Sequence, residues 1–251
     1  MKKAKVIELS LENLIDRQDF LIVQGNDLAK SLGGLKSFEL RVLDYCFSYV
    51  TKESSVNDVY TAYAIDIIKH FGLVNSGNNY ERIAEAFRRL NENTALYLPI
   101  LRQDGTNGIR MTQLFSMIDF YADGEISFKF SEDAAPYIID LKEKFYSFRL
   151  GEISHIKGKY ALILMKLWGA YRYNKNKITI IKGDLEEWEG WFLEKEKRLP
   201  AGRFAANVLA RAITELEKKF DITTQLVTIK DRKVVIGYEL TIIDNRIKDK
   251  R

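Results

Sequence analysis

One cysteine, three prolines and two histidines in 251 residues each exclude something. Cys46 cannot close an intramolecular disulfide, so a reducing compartment is expected, with Cys46 a small buried hydrophobe inside the apolar run "FELRVLDYCFSYV". So few prolines argue against long extended linkers, and disorder is expected only at the ends. His70 and His155 stand far apart among apolar neighbours. That spacing speaks against a nicking centre built on two nearby histidines, and no metal site is expected. No stretch approaches the roughly 20 apolar residues of a membrane span, and "MKKAKVIELSLENL" lacks the apolar core of a signal peptide. The chain therefore reads as cytoplasmic, with no membrane partner.

Signatures of catalysis are missing too. A nucleotide-hydrolysing loop needs G-x-x-x-x-G-K-[ST], and "GGLKS" at Gly33 to Ser37 has the wrong spacing. The carboxylates Asp184, Glu186, Glu187 and Glu189 fall in the first turn of a short helix, where the helix dipole favours negative charge without any chemistry. With no triad-like pattern either, neither an enzyme nor a cofactor is expected.

What is present is an uneven distribution of charge. The formal net charge is +4. Residues 1 to 201 carry 28 basic and 28 acidic side chains, and residues 202 to 251 carry 11 against 7, so the last fifth of the chain holds the whole excess.

Periodicity divides the chain into two runs of similar order. In the first, Ser37 to Val50 reads as a helix, "DVYTAYAI" as a short strand, "AIDIIKHFGL" as a short helix and "NNYERIAEAFRRLNEN" as a third, with Tyr80, Ile83, Ala84, Phe87 and Leu90 inward. The alternating runs "TALYLPILR" and "IRMTQLFSMIDFYA" follow across the turn signal "QDGTNG", then a strand "EISFKF" and a helix "EDAAPYIIDLKEKF". In the second run, "HIKGKYALILMKLWGAYRY" is a helix, "KITIIK" a strand, "GDLEEWEGWF" a helix capped by Asp184 and "PAGRFAANVLARAITELEKKFD" a third helix. "DITTQLVTIKDRKVVIGYELTII" closes it as a hairpin with Lys230, Asp231, Arg232 and Lys233 at the tip.

Helix, strand, helix, helix, hairpin is the order of a winged-helix unit. The expected fold is α+β, two tandem winged-helix domains. Their expected spans are 21–146 and 147–245, after an N-terminal extension (1–20) and before a basic tail (246–251).

The third helix of the second run carries the sharpest signal. At about 100° per residue, Phe204, Ala205, Val208, Leu209, Ala212, Ile213, Leu216 and Phe220 take one side. Arg203, Asn207, Arg211, Thr214 and Lys218 take the other, beside the small Ala206 and Ala210. Arginine can bond guanine O6 and N7 and asparagine adenine N6 and N7, so Arg203, Asn207 and Arg211 are the candidates for base readout. Arg198, Thr214, Lys218, Lys230, Arg232 and Lys233 are candidates for phosphate or flanking contacts.

In the first run, the third helix mixes Arg82, Arg88 and Arg89 with Glu81, Glu85 and Glu92. Backbone contacts and an ordinary solvated face are equally open there. Leu114, Phe115, Met117 and Ile118 suit either a core or a dimer surface.

Three segments carry a resemblance: "VQGNDLAKS", "ISFKFSEDAAPYIIDLKEKFYSFRL" and "ISHIKGKYALILMKLW", the last with Lys159 and Tyr160 opening a long helix. Over about Leu21 to Ile243 the chain resembles the initiator Rep proteins of iteron-type theta-replicating plasmids. It departs at Phe148, where tyrosine is common, and at Gly158, where a small hydroxyl residue is common. The resemblance implies a C-terminal winged helix that reads directly repeated origin sequences in double-stranded DNA, and an N-terminal one for accessory DNA contact and dimerisation. It also implies a balance of monomers and homodimers, help in opening the origin, recruitment of the host initiator and replicative helicase, and repression of its own promoter. A transcriptional regulator of the same fold, and a scaffold that holds protein partners, are the alternatives.

Overall fold

The computed structural model describes residues 21–25, 34–51, 53–138, 145–149, 156–172, 176–193 and 198–248. The chain divides into two compact units. One comprises Met1–Val23, Arg41–Lys142 and Arg149–Ser154, and the other Gln24–Leu40, Glu143–Phe148 and His155–Arg251.

A two-stranded sheet joins β1 (Leu21–Gly25) to a later strand, Phe145–Arg149. Helix α1 (Ser37–Phe47), whose first four residues are counted with the second unit, is followed in the first unit by β2 (Tyr60–Tyr63), α2 (Ala64–His70) and α3 (Gly77–Asn93). Helix α2 stops at Gly72, whose φ of +63° is the left-handed conformation that closes a helix cheaply only for glycine. Helix α3 buries Ile83, Ala86, Phe87 and Leu90, while Ala84 and Tyr80 are only half-buried. The inward stripe is thus centred closer to Ala86 than the sequence pattern suggests.

After α3 come β3 (Ala95–Leu101), β4 (Asn107–Gln113), β5 (Phe115–Phe120) and β6 (Glu125–Phe130). The run that reads as one strand across Leu114 is two strands in two sheets. β3 pairs with β4 alone, and β5 joins a sheet of order β2-β6-β5. Leu114 is fully buried at the break; its N–H bonds Thr94 O and its carbonyl accepts from Ser131 N–H. Phe115 is buried beside it, so both are core residues, while Met117 and Ile118 are half-buried. Aromatic rings fill this core: Phe115 stacks on Phe130 at 5.1 Å, Phe47 on Phe130 at 5.6 Å and Tyr60 on Phe128 at 5.5 Å. After a single 3-10 turn, Pro136 lies in the short α4 (Ala135–Ile138), and Phe145 already belongs to β7 (Phe145–Arg149). The rest of the helix expected there lies outside the described residues.

The C-terminal stretch of the second unit begins its helices with α5 (Lys159–Tyr171), in which Ala161 to Trp168 are all buried. β8 (Ile178–Asp184) leads into α6 (Leu185–Phe192), whose Asp184 and Glu187 form a reciprocal capping box. The third helix, α7, runs as Ala201–Phe204, a π turn Ala205–Leu209, and Ala210–Lys219. β9 (Ile222–Asp231) and β10 (Val234–Asp244) form the hairpin, in a sheet of order β8-β10-β9.

The two sheets share one topology. In each unit the strand before the second helix pairs antiparallel with the second strand of the final hairpin, β2 with β6 and β8 with β10. The first unit's counterpart of the β9-β10 wing is therefore β5-β6, and β3-β4 is an added hairpin. The repeat that element order suggests is a repeat of strand pairing.

Candidate nucleic-acid interface

Helix α7 is amphipathic because its apolar residues cluster on one side, and the structure buries Phe204, Val208, Leu209, Ala212 and Leu216. Arg203, Asn207, Arg211, Thr214 and Lys218 are all exposed. Ala206, Ala210, Arg211, Thr214, Glu215 and Lys218 line a shallow open groove along the same side.

Three ties hold this face in position. At the start of α7, the Tyr238 hydroxyl donates to Ala201 O at 2.7 Å, while the Trp188 indole N–H donates to Tyr238 O at 2.9 Å. Burial, with Glu189 nearby, raises the Tyr238 phenol pKa, so it remains a donor at neutral pH. Just before the helix, the buried Glu189 carboxylate accepts from Leu199 N–H at 2.8 Å and pairs with Arg198 at 3.5 Å.

Near the end, the Glu215 carboxylate accepts from the backbone N–H groups of Lys157 at 2.7 Å and Gly158 at 3.0 Å. It thereby caps α5, whose own N-cap, Gly158, has no side chain to do so. A Cβ at Gly158 would collide with that carboxylate. The departure at Gly158 and the placement of Glu215 are two halves of one arrangement.

The hairpin is tied on as well. Glu217 accepts from the N–H and hydroxyl of Thr224, the latter at 2.7 Å. At the far end, the buried Asp244 carboxylate bonds Arg172 at 3.0 Å and Arg246 at 2.8 Å. Burial alone would raise the Asp244 pKa, but the two arginines hold it below the usual carboxylate value. The wing tip is a two-residue loop between the paired Asp231 and Val234, and its first residue, Arg232, has φ +53°. Lys230, Arg232 and Lys233 are exposed there.

Among the described residues, Arg203, Arg211, Lys218, Lys230, Arg232 and Lys233 make no ion pair. In α3, by contrast, Arg88 bonds both Glu85 and Glu92, and Arg89 bonds Glu85 at 2.9 Å. Arg82 is exposed on the same helix. His70 is buried against Tyr45 and Phe71, ring centroids 5.3 and 5.2 Å away; His155 lies outside the described residues. No helix among the described residues is long and apolar enough to cross a membrane.

Sequence reasoning missed the positioning residues Tyr238 and Glu215 and the π turn, and it put Glu189 in the first turn of α6, where the acidic residues are Glu186 and Glu187. Glu189 lies beyond that turn, buried, and holds Leu199 and Arg198 instead.

Two units of one strand topology, each with a third helix backed by a hairpin sheet, make this a tandem winged-helix protein. The profile of the family described as Initiator Replication protein, WH1, matches residues 21–168, more than half of the chain. The chain belongs to that family of replication initiators. Its structure is similar to that of the Pi initiator protein in complex with iteron DNA, with a TM-score of 0.72 at 18% identity over 92% of this chain and 99% of that one. A weaker likeness is to domains 2 and 3 of RctB, with a TM-score of 0.47 at 13% identity over 88% of this chain and 83% of that one. No curated protein matches the chain.

Proposed function

We propose that this chain is a non-enzymatic plasmid replication initiator that binds directly repeated sequences in double-stranded DNA. The observation that carries the proposal is α7, a tethered helix whose exposed cations have no carboxylate partner among the described residues. An unpaired basic face beside small residues suits the major groove, because bases or phosphates then need not displace an existing ion pair. The Pi initiator, which shares the fold, was crystallised with iteron DNA, and this supports the proposal.

In this scheme Arg203, Asn207 and Arg211 read bases. Thr214, Lys218, Lys230, Arg232 and Lys233 hold phosphates or flanking groups, as does Arg198 from its pairing with Glu189. The 147–245 domain carries sequence-specific binding. The 21–146 domain adds accessory contacts through Arg82, Arg88 and Arg89 and the self-association that gives monomer and homodimer forms. Bound copies help open the origin, draw in the host initiator and helicase, and repress the protein's own promoter, all in the cytoplasm.

The test is footprinting of the purified protein on its own upstream DNA over a series of salt concentrations. Equally spaced protections are expected, with log K falling by about 0.9 per phosphate contacted for each unit of log salt. A single symmetric footprint would replace the initiator with a transcriptional regulator, and a flat salt response without protection would leave a protein scaffold.

A further inference from the structure

The π turn in α7 lies between the proposed base-reading residues. The N–H of Ala210 bonds Ala205 O, five residues back rather than four, and the helix resumes α geometry on both sides. In an α-helix each residue turns about 100°, so residues four apart step sideways by about 40° and residues eight apart by about 80°. In an uninterrupted helix, Arg203, Asn207 and Arg211 would therefore fan across most of a quadrant. A reader at one end would then face a groove wall.

An i→i+5 turn holds one more residue and winds only roughly 80° per residue. Over the five residues of the turn this removes nearly all of the drift. It brings Asn207 and Arg211 to within about 20° of the line through Arg203 parallel to the axis. The exposed positions agree, with Arg203, Ala206, Asn207, Ala210 and Arg211 outward and Phe204, Val208 and Leu209 buried.

We infer that the π turn is a specificity device: it sets Asn207 in one straight row with Arg203 and Arg211, so that three side chains address consecutive base pairs instead of two. This rests on the DNA-reading role proposed for α7. An α-helix can align residues seven apart, but it has no position midway between them on the same line. The inserted residue supplies that middle member.

Deleting Ala206 tests this. Arg203 and Arg211 then stand seven apart in a plain α-helix and stay aligned within about 20°, while Asn207 swings off the row by about 60°. The probe is the duplex that the full-length wild-type chain enriches from a randomised pool, together with every single-base-pair variant of it. The expected result is a folded deletion variant that loses about tenfold preference at one base pair, keeps its preference at the neighbouring ones within about twofold, and has an unchanged salt slope.

A second variant avoids any folding defect. Exchanging the two exposed side chains as Ala206→Asn with Asn207→Ala moves the amide about 80° off the row, and loss of the same base-pair preference is expected. If either folded variant keeps the wild-type base profile, the π turn has no role in specificity. If the wild-type chain enriches no sequence at all, the DNA-reading role of α7 falls first and this inference with it.

Discussion

Helices α3 and α7 hold the same place in the same strand topology, yet they present opposite surfaces. Along α3, Glu81, Glu85 and Glu92 balance Arg82, Arg88 and Arg89. Glu85 is drawn down to about 2 by its bonds to Arg88 and then Arg89, and Arg88 is raised by Glu85 and Glu92. Along α7 basic residues outnumber acidic ones by two, and both glutamates are engaged elsewhere, Glu215 capping α5 and Glu217 holding Thr224 at the surface. The difference teaches that a winged-helix order does not by itself create a DNA-reading surface. What matters is where the carboxylates go. In α3 they neutralise the neighbouring arginines, and in α7 they are spent on backbone N–H groups elsewhere, which leaves the cations available.

The largest test of that contrast is mutational. Arg203→Ala combined with Asn207→Ala is expected to reduce discrimination between the target and scrambled duplex by about 100-fold or more. Arg88→Ala combined with Arg89→Ala should leave that ratio within about threefold and lower affinity for all sequences alike. Competition binding at fixed salt measures both. Equal losses of discrimination from the two pairs would erase the distinction between the helices.

Next in size is the tether of α7. Glu215→Ala leaves the Lys157 and Gly158 N–H groups without their acceptor and should cost about 2 kcal/mol in urea unfolding. Adding Gly158→Ser should restore about 0.3 kcal/mol, because serine is a slightly better N-cap than glycine and its collision partner is gone. If Gly158→Ser is destabilising in the Glu215→Ala background as well, the two residues do not form the coupled cap described above.

How much of this was legible in the sequence follows from what a periodic pattern can carry. Apolar spacing marked every helix from α1 to α3 and from α5 to α7, and all five outward residues of α7, because burial imposes a period. It did not mark the break at Leu114, where the alternation continues unchanged while the chain leaves one sheet for another. Which hairpin is the first unit's wing was hidden for the same reason, since strand partners are set by long-range pairing. The π turn was hidden because Phe204, Val208, Leu209 and Ala212 fit the inward sector with or without an extra residue. The role of Glu215 was hidden because its partner Gly158 stands 57 residues away, and no local pattern links the two. The Asp184 cap, a purely local device, was readable from the sequence, and the structure adds Glu187 as its reciprocal partner.

A smaller effect sharpens the comparison from the side of α3. Glu85→Gln removes the carboxylate that engages Arg88 and Arg89, so this helix should come to resemble α7 in charge. Binding to non-specific duplex should strengthen, with the salt slope steepening by about 0.9 for each phosphate newly engaged. The same network predicts a pH response of definite sign. Because the folded-state Glu85 value lies below the ordinary 4.5, its stabilisation is complete above that pH and is lost as pH falls toward about 2. A titration of thermal stability should therefore show the α3 contribution declining within that window in the parent chain and absent in Glu85→Gln.

The smallest expected effect concerns the wing, which has its counterpart in the β5-β6 hairpin. That hairpin turns at Gly124, with φ +90°, whereas β9-β10 turns at Arg232, with φ +53°. A left-handed arginine costs about 1 kcal/mol relative to a residue suited to that region, and the first unit avoids the cost by using glycine. An arginine kept at such a position is accounted for if its guanidinium meets a phosphate. Arg232→Asn, which tolerates the same φ, should hold or raise the melting temperature while weakening DNA binding severalfold and lowering the salt slope by about 0.9. Unchanged binding with raised stability would make Arg232 an ordinary turn residue and would leave α7 alone to distinguish the second unit from the first.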